Sequence, residues 1–122
     1  MSPKNKKKLE IIRSKLDKLD NKLLFLIKYR TNLVKEVLKL KEFKKEIVDK
    51  KRINFILKKI HSKSKKLKID PKITNRIWKN MILSYIDYEK RNFKKKYLLT
   101  VRWKLLFNKH FMFSGIWIVF LC

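Results

Sequence analysis

The sequence predicts an all-α fold of three helices, one long and two shorter, followed by a C-terminal tail. Three observations lead to this prediction. Apolar residues recur at alternating spacings of three and four over residues 9–40, which is the period of one helix face. No stretch shows the apolar and polar alternation of a β-strand, and no glycine occurs before Gly115. Asp70 and Pro71 together form a clear helix start.

The first predicted helix begins at Ser2 and Pro3, which supply an N-cap residue and a first-turn proline. It should run to about Glu42, a length of roughly 60 Å at 1.5 Å per residue. Such a helix needs a partner along its whole length, and we expect the chain to self-associate because 122 residues can form only one modest core. The apolar stripe consists of Leu9, Ile12, Leu16, Leu19, Leu23, Leu26, Leu33, Val37 and Leu40.

Two shorter helices should follow the long one. The second begins near Val48 or Asp49, where the aspartate can cap, and fades around Lys66. The third begins with Asp70 as N-cap and should reach about Lys95. Their apolar stripes are Ile53, Ile56, Leu57 and Ile60 in the second helix, and Ile73, Ile77, Met81 and Tyr85 in the third.

The C-terminal tail, residues 97–122, differs in composition from residues 1–96, so we expect it to be an extension of unknown role. It holds seven aromatic residues and an uncharged run from His110 to the end. As a helix this run of about 13 residues would be roughly 20 Å long, against a hydrocarbon core of about 30 Å. The uncharged run is therefore too short to cross a membrane, although a peripheral membrane contact of the tail remains an alternative.

The composition disfavours several classes of protein. One cysteine, Cys122, and two distant histidines offer neither a disulfide framework nor a metal-ligand spacing. The N-terminus has lysines but no apolar run behind them, so no secretory signal is expected and the cytoplasm is the predicted location. A net charge of +25 attracts polyanions in general. The lysines cover every predicted solvent face, however, so nucleic-acid binding is only a remote alternative.

One position interrupts the apolar stripe of the long helix. After Leu26 the next core position is Arg30, and the stripe resumes at Leu33. A buried guanidinium without a counter-anion is costly, so an anion should meet it. An acid such as Asp20 or Glu36 of a second subunit is one alternative.

A bound ligand is the other alternative for the anion that meets Arg30. Lys41 lies 11 residues further on, three helical turns away and at nearly the same azimuth. Two long side chains on one side of a helix could close on a small dianion.

Four pieces of sequence carry a resemblance to a known family. They are LDKLDNKLL at residues 16–24, Arg30 with Lys41, the D-x-x-R of Asp49 and Arg52, and IDP at residues 69–71. In this order they resemble the all-helical chorismate mutase family, over Ile12 to Phe93. The resemblance implies a helical domain at residues 1–96 and an intertwined homodimer. It also implies isomerisation of chorismate to prephenate, in phenylalanine and tyrosine biosynthesis, without metal or cofactor.

The resemblance also implies roles for individual residues. Arg13, reaching across from the partner subunit, and Arg30 would each grip one carboxylate of the substrate. Lys41 and Glu89 would hydrogen-bond the ether oxygen whose bond breaks. Glu89 can donate only when protonated, so activity should fall as the pH rises.

Further pocket residues follow from the same resemblance. Asp49 and Arg52 would lie near the ring hydroxyl and the second carboxylate, and Tyr85 would line the pocket. The family usually has a glutamate directly after Arg52, where this chain has Ile53. The related isochorismate pyruvate lyases tolerate an apolar residue there, so a lyase on the same fold is the alternative enzyme.

Overall fold

The structure, a computed structural model, describes residues 1–113, with side chains described for residues 1–93, 105 and 106. It contains three α-helices and a short 3-10 turn at Lys44–Glu46. The described residues form no strand, so the all-α prediction is confirmed. Two compact units divide the backbone, one of them Met1–Leu40 and the other starting at Lys41. The helices are α1 (Pro3–Leu40), α2 (Lys50–Lys66) and α3 (Pro71–Phe113).

Helix α1 begins where the sequence predicts and ends two residues earlier than expected. The backbone N–H of Asn5 donates to Ser2 Oγ at 3.2 Å, which makes Ser2 the N-cap. At the other end, the N–H groups of Glu42 and Phe43 donate to Glu46 Oε2 at 2.7 and 2.8 Å. Because this carboxylate satisfies both N–H groups outside a helix, α1 stops at Leu40.

The apolar stripe of α1 is largely exposed in the single chain. Leu16 and Leu19 each keep 51% of their surface accessible, and Leu23 and Leu33 are similarly exposed. Leu38 is the buried residue of this helix. A helix of 38 residues thus presents an apolar face that the described chain does not cover.

Helix α2 has both of its ends fixed by hydrogen bonds. Asp49 Oδ1 accepts from the Arg52 N–H at 2.9 Å, so the predicted N-cap is confirmed. At the C-terminus Lys68 has a positive φ of 57°, and the N–H of Ile69 donates to the Ser64 carbonyl at 2.9 Å. These bonds form a Schellman motif in which Lys68 occupies the position that glycine usually takes.

Helix α3 starts as predicted and continues well past its predicted end. Asp70 Oδ1 accepts from the Lys72 N–H at 2.9 Å, and Pro71 is the first helical residue. The helix runs 43 residues to Phe113 instead of ending near Lys95, so it is longer than α1. No glycine or proline interrupts residues 72–113, and the change in composition at residue 97 does not stop the helix. The predicted boundary after residue 96 stays a prediction.

Helices α2 and α3 pack as an antiparallel pair. The hydroxyls of Ser64 and Thr74 lie 2.7 Å apart and are buried. Further along α3, Ile82 and Phe93 are buried. In the predicted stripe of α3, Ile73 and Ile77 are exposed in the single chain, like the stripe of α1, whereas the neighbouring Thr74 is buried.

Candidate functional site

Glu89 is the one buried charged residue among those whose side chains the structure describes, and it forms an ion pair with Lys41. Lys41 Nζ lies 2.5 Å from Glu89 Oε2, and the two side chains are 16% and 10% exposed. Lys41 directly follows α1, and Glu89 lies near the middle of α3. The structure thus brings together two of the predicted site residues, 48 positions apart in the sequence.

The segment after Lys41 is held by a carboxylate that the sequence analysis did not single out. Glu46 Oε2 accepts the backbone N–H groups of Glu42 and Phe43. These two hydrogen bonds, first that of Phe43 and then that of Glu42, lower the pKa of Glu46 below its ordinary value. Ile47, which follows directly, is buried. An ionised Glu46 therefore fixes the backbone beside Lys41.

Glu89 lies on a buried face of α3. Tyr85, one turn earlier, is half-buried, and Phe93, one turn later, is buried. Residues four apart share a helix face, so an aromatic side chain flanks the carboxylate on each side. A carboxyl between aromatic neighbours is poorly solvated, and here the Lys41 ammonium offsets that cost. Tyr85 thus lies one helical turn from Glu89, and its role in lining a pocket stays a prediction.

The Lys41 and Glu89 pair can perform hydrogen-bond chemistry on a small ligand. The ammonium offers three donors and the carboxyl adds one when protonated. Donors held on two different elements can converge on a single acceptor oxygen without rearranging the backbone. Such preorganised donors stabilise charge that develops on an oxygen during a reaction.

Asp49 and Arg52 are close together in a capping arrangement. The Asp49 carboxylate accepts from the backbone of Arg52, not from its guanidinium. The guanidinium of Arg52 instead lies 5.4 Å from the centroid of the exposed Phe55 ring. The structure confirms the cap, and the substrate contacts of these two residues stay predictions.

Arg13 and Arg30 belong to the first compact unit. Arg13 Nη1 pairs with Glu10 Oε1 at 2.9 Å, and both side chains are well exposed. Arg30 is half-buried. Because α1 ends at Leu40, the helical register that related Arg30 to Lys41 stops one residue before Lys41. Their joint grip on a dianion stays a prediction.

Two further kinds of site are absent from the part of the chain that the structure describes. No group of three or more His, Cys, Asp or Glu residues there could hold a metal ion. None of the described helices combines the length and apolar character needed to span a bilayer. The apolar run from His110 to the end lies mostly outside the described residues.

Comparison with known proteins gives one match. The family model described as chorismate mutase type II matches residues 12–90, about two thirds of the chain. No curated protein and no solved structure matches the chain. The matched range contains every residue predicted for the site, from Arg13 to Glu89, and ends before the C-terminal tail.

Proposed function

The chain belongs to the chorismate mutase type II family, and we propose that it converts chorismate to prephenate as a cytoplasmic homodimer. Family membership implies an isomerase with chorismate as its substrate. Within the family, the observation that carries the proposal is the buried pair of Lys41 and Glu89. These are the two residues that we assign to the ether oxygen of the substrate.

The reaction explains why a few fixed donors are sufficient. A Claisen rearrangement is unimolecular, so no nucleophile is activated and no proton is transferred. The enzyme must hold the flexible enolpyruvyl arm over the ring and stabilise the charge that develops on the ether oxygen. Positioned cations and hydrogen-bond donors do both.

Lys41 and Glu89 are proposed to donate to the ether oxygen together. Glu89 donates only as the protonated acid, so in this proposal substrate binding is accompanied by uptake of one proton from solvent by Glu89. The Lys41 to Glu89 ion pair is then exchanged for two hydrogen bonds to the ether oxygen.

Three arginines are assigned to the carboxylates of the substrate. Arg30 binds one, and Arg13 of the partner subunit binds the other, each through the planar fork of its guanidinium. Asp49 and Arg52 contact the ring hydroxyl and the second carboxylate. In this assignment the exposed Arg13 breaks its ion pair with Glu10 and binds a substrate carboxylate instead when the dimer and the substrate are present.

The homodimer is supported by the uncovered stripe of α1. Leu16, Leu19 and Leu23 are about half exposed at core positions of a heptad pattern. Burying a continuous stripe along 38 residues against a second copy removes this apolar area from water. The same association brings Arg13 of one chain to the site of the other.

A specific residue keeps the alternative enzyme open. Ile53 is half-buried on α2, where the family usually carries a glutamate that contacts the substrate hydroxyl. An apolar residue there is compatible with isochorismate pyruvate lyase chemistry, which needs the same cationic pocket. Glu89 and the pattern of the long helix favour the mutase.

Product analysis separates the two enzymes. The full chain is incubated with chorismate and, separately, with isochorismate, and a chain that ends at Lys96 is compared. We expect prephenate from chorismate with both lengths, because residues 97–122 lie outside the family match. Salicylate and pyruvate from isochorismate alone would instead assign the lyase, and no turnover of either substrate would reject both proposals.

A further inference from the structure

Helix α2 and the residue pair after it form the most uniformly cationic segment with described side chains. Residues 50–68 contain no Asp or Glu. All nine Lys and Arg side chains of this segment are exposed, and none has an ion-pair partner among the described residues. They are Lys50, Lys51, Arg52, Lys58, Lys59, Lys63, Lys65, Lys66 and Lys68.

Some of these cations line up on one face of α2 together with an aromatic ring. At 100° per residue, Arg52, Phe55, Lys59, Lys63 and Lys66 fall within a sector of about 80° along a length of about 21 Å. We call these five residues the α2 stripe. Its cations lie roughly 5 to 10 Å apart along the helix, which is a spacing that successive phosphates of an extended strand can match.

Phe55 is an unusual member of this face. Its ring is 53% exposed, and the charged groups of Arg52 and Lys59 lie 5.4 and 5.7 Å from its centroid. An exposed aromatic ring between cations is the combination that single-stranded nucleic acid uses, since bases stack on rings and phosphates pair with the flanking charges.

A lipid surface fits the α2 stripe less well. A helix that lies in a membrane interface needs a broad apolar face turned outward. In α2 the apolar residues Ile53, Ile56, Leu57 and Ile60 are half-buried, so Phe55 is the one apolar side chain of the helix that is exposed. Charge without an apolar face suits a hydrated polyanion.

We propose that the α2 stripe binds single-stranded nucleic acid, with Phe55 stacking on a base and Arg52, Lys59, Lys63 and Lys66 neutralising phosphates. The uniform spread of lysines over the sequence disfavours such an interface. The structure adds the alignment of four cations around one exposed ring on a helix without a single acid. Arg52 is the one member of the α2 stripe that the proposed substrate pocket also uses, so the variants below leave Arg52 in place.

The test measures fluorescence anisotropy of a labelled oligothymidylate of about 20 nucleotides, titrated with the full chain at several salt concentrations. Wild type is compared with the triple variant Lys59→Gln, Lys63→Gln, Lys66→Gln. The matched control is Lys6→Gln, Lys7→Gln, Lys8→Gln, which removes the same charge from exposed residues of α1. We expect the triple variant of the α2 stripe to bind the oligonucleotide about tenfold more weakly than wild type. The slope of the logarithm of its association constant against the logarithm of salt concentration should be smaller in magnitude by about 2. An equal loss in both triple variants overturns the proposal, because net charge alone then explains the binding.

Phe55→Leu tests the stacking part of the interface. We expect the wild type to prefer the single strand to a duplex of the same length, and Phe55→Leu to lose about tenfold on the single strand with little change on the duplex. Equal losses on both would contradict stacking. Binding to phosphatidylserine vesicles that exceeds binding to the oligonucleotide, and depends on the same lysines, would replace nucleic acid by a lipid surface and reject the proposal.

Discussion

Lys41 Nζ and Glu89 Oε2 lie 2.5 Å apart in a nearly buried ion pair that joins the residue after α1 to the middle of α3. In this pair the Lys41 ammonium donates to the Glu89 carboxylate, and the half-buried Tyr85 and the buried Phe93 lie one helical turn before and after Glu89. In the proposed mechanism both side chains turn from each other to the ether oxygen of chorismate. The state of the Glu89 proton then controls the rate.

The pH dependence of turnover tests this role of Glu89. We expect kcat/KM of the wild type to fall as the pH rises, because an ionised Glu89 accepts and no longer donates. In Glu89→Gln the amide donates at every pH, so the alkaline fall should disappear. A wild-type profile without an alkaline fall would remove Glu89 from the ether oxygen.

Glu46 gives a second, separate pH effect, this time on stability. Its pKa is lowered in the folded chain by the hydrogen bonds of Phe43 and Glu42. A group with a lowered folded-state pKa stabilises the fold fully above its unfolded value, here 4.5, and loses that contribution as the pH falls through the lower folded value. Glu46→Gln should therefore be less stable than wild type at neutral pH and equally stable in acid.

Urea unfolding at fixed protein concentration measures the effect of Glu46, with Glu42→Gln as the matched control. Glu42 is an exposed neighbour whose backbone, not its carboxylate, makes the bond to Glu46. Glu42→Gln should show no such pH-dependent difference from wild type in the free energy of unfolding. If the difference in free energy of unfolding between wild type and Glu46→Gln persisted unchanged at low pH, the charge of Glu46 would not be what holds the turn.

Lys68 provides a stability prediction that is independent of function. A non-glycine residue at φ 57° carries a steric cost, so Lys68→Gly should stabilise the fold by about 1 kcal/mol. Lys68→Ala keeps the Cβ atom and should give no comparable gain. The midpoints of urea unfolding of the wild type and the two variants measure this difference in stability. Equal midpoints for the glycine and alanine variants would mean that the Cβ atom at residue 68 carries no steric cost.

The proposed dimer is tested at the stripe of α1. Leu19→Glu puts a charge in the proposed seam and should weaken association by more than about tenfold, since two buried carboxylates must be desolvated in each dimer. Leu24→Glu makes the same change at an exposed residue off the stripe and should leave the dimer intact. Light scattering after size exclusion reports the mass. Equal behaviour of the two variants would argue against the seam.

The starts of the helices could be predicted because their signals are local. Ser2, Asp49 and Asp70 each accept a backbone N–H within the next three residues, which spacing alone predicts. The ends were less predictable. Helix α1 stops because Glu46, several residues beyond its end, captures two N–H groups. Helix α3 continues because nothing in residues 96–113 breaks a helix.

The candidate site was predictable only in part. Lys41 and Glu89 were paired through the family resemblance, because no periodicity relates residues 48 positions apart. Glu46 was missed, since one acid within a lysine-rich connection has no pattern that distinguishes it from a solvated residue. The burial of Thr74 was not predictable from the apolar spacing, because it accompanies a hydrogen bond between the hydroxyls of Thr74 and Ser64.

The most direct test of the central claim is the initial rate of prephenate formation from chorismate by the full chain, measured beside Lys41→Ala at equal concentration. The account predicts that the wild type forms prephenate and that Lys41→Ala loses at least about 100-fold in kcat, as expected for removal of a donor to the developing charge. No prephenate from the wild type, or an equal rate in the variant, would contradict it.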